Sequence, residues 1–155
     1  MRVLLSTIGS RGDVQPLVAL AMQLKALGQE ARLCAPPDFR EWVEGFGVPF
    51  VPIGPEVRST AKMSRPSAAA APPTLEQVRQ MMAGTVATQF ATIPAAAEGC
   101  DVIVGAKALQ VAARSIAELM GIPHVFAAYC PAPPIHSPWP ACPFLPAKSL
   151  RKSKA

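Results

Sequence analysis

Cysteine, histidine and tyrosine are scarce in this 155-residue chain, which holds four, two and one of them respectively. Cys34, Cys100, Cys130 and Cys142 form no CxxC pair, and nothing signals secretion, so a disulfide framework is not expected. His124 and His136 do not join these cysteines at a recognisable zinc spacing, and no metal site is expected. No apolar run approaches the roughly 18–20 residues that a membrane-spanning helix needs. The apolar start MRVLLSTIGSRG has no small-residue cleavage pattern and leads straight into an amphipathic segment. It reads as the first strand of a cytoplasmic protein, not as a signal peptide.

Acidic residues are also few, ten against fifteen Lys and Arg, for a formal charge of +5. Lys148, Arg151, Lys152 and Lys154 supply four of those charges in a tail without an acid. Such a tail attracts polyanions without specificity, and the rest of the chain is nearly neutral, so no specific nucleic-acid partner is expected. Three nucleotide and nucleophile motifs are missing as well. There is no GxxxxGK[ST], and GSRGD is not a GxSxG elbow. The run GSRGDV from Gly9 lacks the middle and last glycines of GxGxxG, and the second apolar run ends Cys34-Ala35-Pro36 without a ribose-binding acid. A nucleotide-cofactor-binding oxidoreductase fragment is therefore an alternative without motif support.

What is present is a strand, a glycine loop and a helix. Val3, Leu4 and Leu5 open an apolar run ending at Gly9, and Gly9 and Gly12 bracket a loop carrying Ser10, Arg11 and Asp13. From Leu17 the period changes, with Leu17, Leu20, Ala21, Leu24 and Leu27 on one helical face and Gly28 as the stop. EARLCA (30–35) predicts a second strand, and Asp38 is placed to cap a short helix with Phe39, Trp42, Val43 and Phe46 as its apolar stripe. VPFVPI (48–53) predicts a third strand, which Pro49 and Pro52 push to an edge.

Residues 54–73 mix Pro, Ser and Ala with no stable period and predict a flexible loop, long enough to suggest function. Thr74-Leu75-Glu76-Gln77 is a capping box opening a long helix with Leu75, Val78, Met82, Thr85, Val86, Gln89 and Phe90 near one face. Pro94 is expected to kink or end it. DVIVG (101–105) predicts a central strand, and 107–120 a helix burying Leu109, Ala112, Ala113, Ile116, Ala117 and Met120 before Gly121. IPHVFAAY (122–129) predicts the fifth strand, after which prolines and a basic tail replace regular structure. Right-handed crossovers make the result a doubly wound α/β fold with a parallel sheet.

Such sheets place ligands beyond the carboxyl ends of their strands, the side on which Asp13 falls. A carboxylate at a helix start caps the helix and satisfies backbone N–H groups, a role that favours its ionised form. Held there, it can also accept a proton from a bound hydroxyl, and the two roles are compatible. Arg11 is expected either to pair with Asp13 or to project into solvent, and Ser10 to support the turn. His124, at the opposite end of the last strand, reads as structural. His136 lies on the loop side and could touch a ligand. Trp139 and Phe144 read as a docking patch or part of an aromatic groove, and Met63, Met81 and Met82 as pocket lining or filler.

The run MRVLLSTIGSRGDVQPLVALAMQLKALGQEARLCAPPDF, followed by GFGVPFVPIGP, resembles the N-terminal domain of GT-B glycosyltransferases. TLEQVRQMMAGTVATQFATIPAAAEGCDVIV and AELMGIPHVFAAYCP are similar to glycopeptide-antibiotic glycosyltransferases in particular, with sterol and lipid glycosyltransferases related. The resemblance implies a Rossmann-like parallel sheet with helices on both faces, the N-terminal half of a GT-B fold. It implies an acceptor-binding domain over 1–134, an acceptor-side loop over 54–73, and an irregular proline-rich segment and basic tail over 135–155. It also implies inverting transfer from a nucleoside-diphosphate-sugar, a co-substrate and not a bound cofactor, to a hydroxyl of an antibiotic aglycone, sterol or lipid.

By that resemblance Asp13 matches the base, with Gly9, Ser10, Arg11 and Gly12 supporting the loop or the acceptor site. Met63, His136, Trp139 and Phe144 are candidate acceptor contacts. The family's donor-binding domain has no counterpart in this sequence, so the chain by itself is expected to be inactive and to need that domain as partner. A non-catalytic acceptor-binding module is the alternative of a different class.

Overall fold

Every predicted strand pairs side by side with its neighbours running in the same direction, in the order β3-β2-β1-β4-β5. The structure is a computed structural model and describes residues 1–57, 74–106 and 109–129. Its elements are β1 (Arg2–Thr7), α1 (Arg11–Ala26), β2 (Glu30–Ala35), a 3-10 turn (Pro37–Phe39) running into α2 (Arg40–Glu44), and β3 (Phe50–Pro52). After these come α3 (Leu75–Ala96), β4 (Val102–Ala106), α4 (Ala113–Met120) and β5 (His124–Ala127).

The central strand β1 is buried on both faces, as its apolar run requires. Val3 and Leu5 point to the layer of α1 and α2, where they meet Val14, Leu17, Val18, Ala21, Leu33 and Val43. Leu4 and Ile8 point the other way, onto Ile93, Ala96, Ile103, Ile116 and Ala117 from α3, β4 and α4. Helices therefore cover both faces. Strand β3 takes the edge that its prolines predict. Glycines end the helices as expected, Gly28 at φ +72° after α1 and Gly121 at φ +68° after α4.

Three local expectations need correction, and of the two courses open at Pro94 the helix does not end there. Helix α1 starts at Arg11, not at Leu17, so Arg11, Gly12 and Asp13 form its first turn and Ser10 its N-cap. Its buried face is Val14, Leu17, Val18 and Ala21, while Leu20 and Leu27 face out. Asp38 does not cap α2; its Oδ1 accepts from the Val57 N–H at 3.0 Å and fastens the chain leaving β3. Helix α3 runs through Pro94 to Ala96. The predicted helix over 107–120 forms only from Ala113, and Leu109 is exposed, because the intervening turn sends Gln110 into the core.

Helix α3 is longer than the sheet that it covers. It buries Gln89, Ile93 and Ala96, while nothing from Leu75 to Thr88 is buried. Gln89 is level with the carboxyl end of β4, since its Nε2 donates to the Leu109 carbonyl (2.6 Å) and its Oε1 accepts from the Ala112 N–H (2.9 Å). Residues 75–88 precede that level along the helix, a stretch of about 20 Å at roughly 1.5 Å per residue, and Val86 within it still packs on the core. Leu75, Val78 and Met81 are exposed on this stretch. The expected apolar stripe is present, but among the described residues its first part, Leu75 and Val78, joins no core cluster.

Candidate functional site

Asp13 sits half-buried in the first turn of α1, just past the carboxyl end of β1. Its Oδ2 accepts from the Ser10 backbone N–H at 2.7 Å and from Ser10 Oγ at 3.1 Å. This is the carboxylate arm of a capping box, and it holds a negative charge at the positive end of the helix dipole. Gly9 lies directly beneath it. A Cβ on Gly9 would fall onto Oδ2 and stand 2.7 Å from Cγ, so only glycine leaves room for the carboxylate. The backbone carbonyl of Asp13 accepts from the Tyr129 hydroxyl at 2.7 Å. The carboxylate is thus fixed at both ends of its residue.

Arg11 is exposed, as one of its two expected courses has it, yet solvent is not all that it meets. Its guanidinium lies 4.9 Å from the centroid of Trp42 and stacks on that ring. Trp42 itself packs edge-on against Phe39 and Phe46, at 6.3 and 5.9 Å between centroids. Arg11 therefore braces the opening turn against α2. Gly12 stands open, with only Ser10 Oγ near its added Cβ at 3.8 Å. Of the loop residues, Gly9, Ser10 and Asp13 form one constellation and Arg11 belongs to its support. Met63, His136, Trp139 and Phe144 lie outside the described residues, as do most of 54–73 and all of 135–155.

A second polar group lies under the other face of the sheet. Ser6 Oγ donates to Gln110 Oε1 at 3.1 Å, and both residues are buried. Among the described residues, Thr7 Oγ1, Gln110 Nε2 and His124 Nε2 have no hydrogen-bond partner. His124 Nε2 would lie 2.9 Å from a Cβ on Gly105, so this glycine makes space for the imidazole. Burial, then the nearby Arg114 cation, holds the His124 pKa below its ordinary value. Burial pushes the Cys34 thiol up to about 12, which keeps it neutral and unreactive. A cavity of about 600 Å³ opens at the amino end of the sheet, between Arg2, Lys25, Arg32 and Glu98. It shares no residue with the Asp13 turn.

Sequence reasoning placed Tyr129, Trp42 and Gln89 in their elements but missed the contacts that the first two make with the opening turn and Gln89 with the chain after β4. Tyr129 and Trp42 are distant in sequence from the turn they hold, and periodicity carries no trace of such contacts. For Gln89 a signal existed, since it lies four residues before Ile93 on the buried stripe.

The family described as the glycosyltransferase family 28 N-terminal domain matches residues 3–132. The vancomycin aglycone glucosyltransferase of Amycolatopsis orientalis is 48% identical over 134 residues, which cover 85% of this chain and 31% of that protein. A sterol 3-beta-glucosyltransferase of Debaryomyces hansenii is 31% identical over 121 residues, covering 78% of this chain and 8% of that protein. The crystal structure of SsfS6, a Streptomyces sp. SF2575 glycosyltransferase, superposes with a TM-score of 0.61 at 24% identity. That match covers 86% of this chain and 41% of the other. The chain spans about a third of the length of the vancomycin relative.

Proposed function

The chain belongs to the glycosyltransferase family 28 N-terminal domain, and from that membership we propose that it forms the acceptor side of a sugar-transferring enzyme. The donor is a nucleoside-diphosphate-sugar bound mainly by a separate carboxyl-terminal domain. The acceptor is a hydroxyl-bearing antibiotic aglycone, a choice supported by the higher identity to the vancomycin aglycone enzyme than to the sterol enzyme. The observation that carries the proposal is the Asp13 carboxylate, fixed by Ser10 and seated on Gly9 at the carboxyl end of a parallel sheet.

Asp13 acts as general base. It accepts the acceptor's proton while the hydroxyl oxygen attacks the anomeric carbon from the face opposite the departing nucleoside diphosphate. The carbon–oxygen bond to the acceptor forms as the bond to the diphosphate breaks, and the anomeric configuration inverts. A carboxylate is a weak base towards an aliphatic alcohol, so proton transfer is late and positioning supplies much of the rate. A phenol ionises more readily and is the easier acceptor. The exposed Leu75, Val78 and Met81 lie on the same side of the sheet and offer apolar surface to an aromatic scaffold.

The test joins the chain to a donor-binding half, either in its own full-length protein or in a fusion with that half of the vancomycin relative. Asp13→Asn should lower kcat by about 10²–10⁴-fold, the usual range for a lost general base, with acceptor affinity kept within a few-fold. Unchanged turnover would refute the role of Asp13. Acceptor binding with no transfer in either protein would favour a binding module without catalysis.

A further inference from the structure

We propose that Tyr129 is a positioning residue for Asp13, holding the turn that carries the carboxylate to the frame of the sheet. The proposal rests on the reading of Asp13 as the base. The capping box secures the amino end of α1, but the helix leaves one backbone bond of its opening unmade. Pro16 lies inside the helix and has no N–H, so the Gly12 carbonyl loses its usual partner four residues on. Gly12 also weakens the turn, as glycine does in any helix. The residue carrying the chemistry therefore follows a glycine and precedes a proline by three positions.

The sheet supplies what the helix lacks. Tyr129 stands two residues past β5, whose pairing with β4 and then β1 sets its height beside the opening turn. Its ring packs against the core cluster on the α1 side, whose members include Val14, Leu17, Val104 and Ala106. Its hydroxyl then donates to the Asp13 carbonyl at 2.7 Å, across 116 residues of chain. A seated aromatic ring with one polar tip is a stiff strut, because few torsions separate it from the backbone. Ser10 sets the direction of the carboxylate, and Tyr129 sets where the residue stands.

Tyr129→Phe removes the hydroxyl and leaves the ring. In the active full-length or fused protein, it should lower kcat about 5- to 10-fold, as expected for a lost hydrogen bond that misplaces a reacting group. The donor KM should stay within about twofold. The deciding readout is the same substitution in the Asp13→Asn background, where it should change the residual rate less than about twofold. An equal loss in both backgrounds, or no loss beside intact Asp13, would overturn the positioning role while leaving the base assignment in place. Wild-type turnover by Asp13→Asn alone would remove the base assignment itself. Independently of turnover, amide exchange at Val14 and Leu17 should rise several-fold in Tyr129→Phe with that at Leu33 unchanged. Unchanged exchange at Val14 would count against the strut.

Discussion

Replacing Gly9 by alanine tests the most crowded contact in the opening turn. The new methyl group would clash with Asp13 Oδ2, and would stand 2.7 Å from Cγ and 3.0 Å from Cβ. Two responses are open to the protein. The Asp13 side chain can rotate away, which gives up the bonds from Ser10 N and Oγ, or the backbone of β1 and α1 can separate. Loss of a helix cap costs about 0.5–2 kcal/mol, and inserting a methyl group into a packed site about 1–3 kcal/mol. Gly9→Ala should therefore destabilise the fold by about 2 kcal/mol. For a domain of this size that is roughly a 4–8 °C fall in Tm.

The distinctive expectation is non-additivity. In an Asp13→Ala background the carboxylate is gone, and only the Cβ contact at 3.0 Å remains, which small shifts relieve. There the added cost of Gly9→Ala should fall below about 1 kcal/mol, leaving a coupling of at least about 1 kcal/mol between the two sites. Urea denaturation of the four proteins measures that coupling directly. Costs that add within about 0.5 kcal/mol would show that Gly9 does not serve the carboxylate, and the geometry argued for the turn would be wrong.

Three further outcomes concern the core, the exposed part of α3 and a titrating histidine. Gln89→Leu keeps the volume but strands the buried Ala112 N–H and the Leu109 carbonyl, and should cost about 2–4 kcal/mol by urea denaturation. Met81→Ala, on the exposed part of α3, should change stability by less than about 0.5 kcal/mol, and a larger loss would mean that this part packs against something essential. His124 has a lower pKa in the native state than in the unfolded chain. As pH falls below about 6.5 the unfolded chain takes up a proton that the native state resists, so this group makes stability decline with acid. His124→Gln should flatten the fall in urea midpoint between about pH 7.5 and 5.5, and an unchanged slope would refute the assignment.

The order of elements is legible in the sequence because each apolar run is closed by glycine or proline, as at Ala35-Pro36 and Met120-Gly121. Burial on both faces makes β1 and β4 nearly continuous in hydrophobicity, while the prolines beside β3 betray its edge. The start of α1 was hidden by composition. Gly12 and Pro16 are poor helix residues, yet Ser10-x-x-Asp13 has the spacing of a capping box, like Thr74-x-x-Gln77, and could have revealed it. The turn before α4 was hidden for another reason. Its residues keep a helical period, but Gln110 makes a tertiary bond with Ser6 that no local pattern encodes. The position of Asp13 was legible because the end of the first strand is a matter of chain order. Its supports, Trp42 and Tyr129, were not, because contacts across 31 and 116 residues exist only after the sheet has formed.

The unequal lengths of α3 and its sheet divide one helix between two kinds of constraint. Gln89, Ile93 and Ala96 answer to folding, and a change at any of them is felt throughout the domain. Leu75, Val78 and Met81 are exposed and belong to no core cluster among the described residues, so their identity is free of that demand. Mutation can therefore sample new side chains there, beside the same sheet end that holds Asp13, while the scaffold keeps its stability in reserve. An arrangement of this kind lets a lineage explore new molecular partners by single steps, none of which has to pass through an unfolded ancestor.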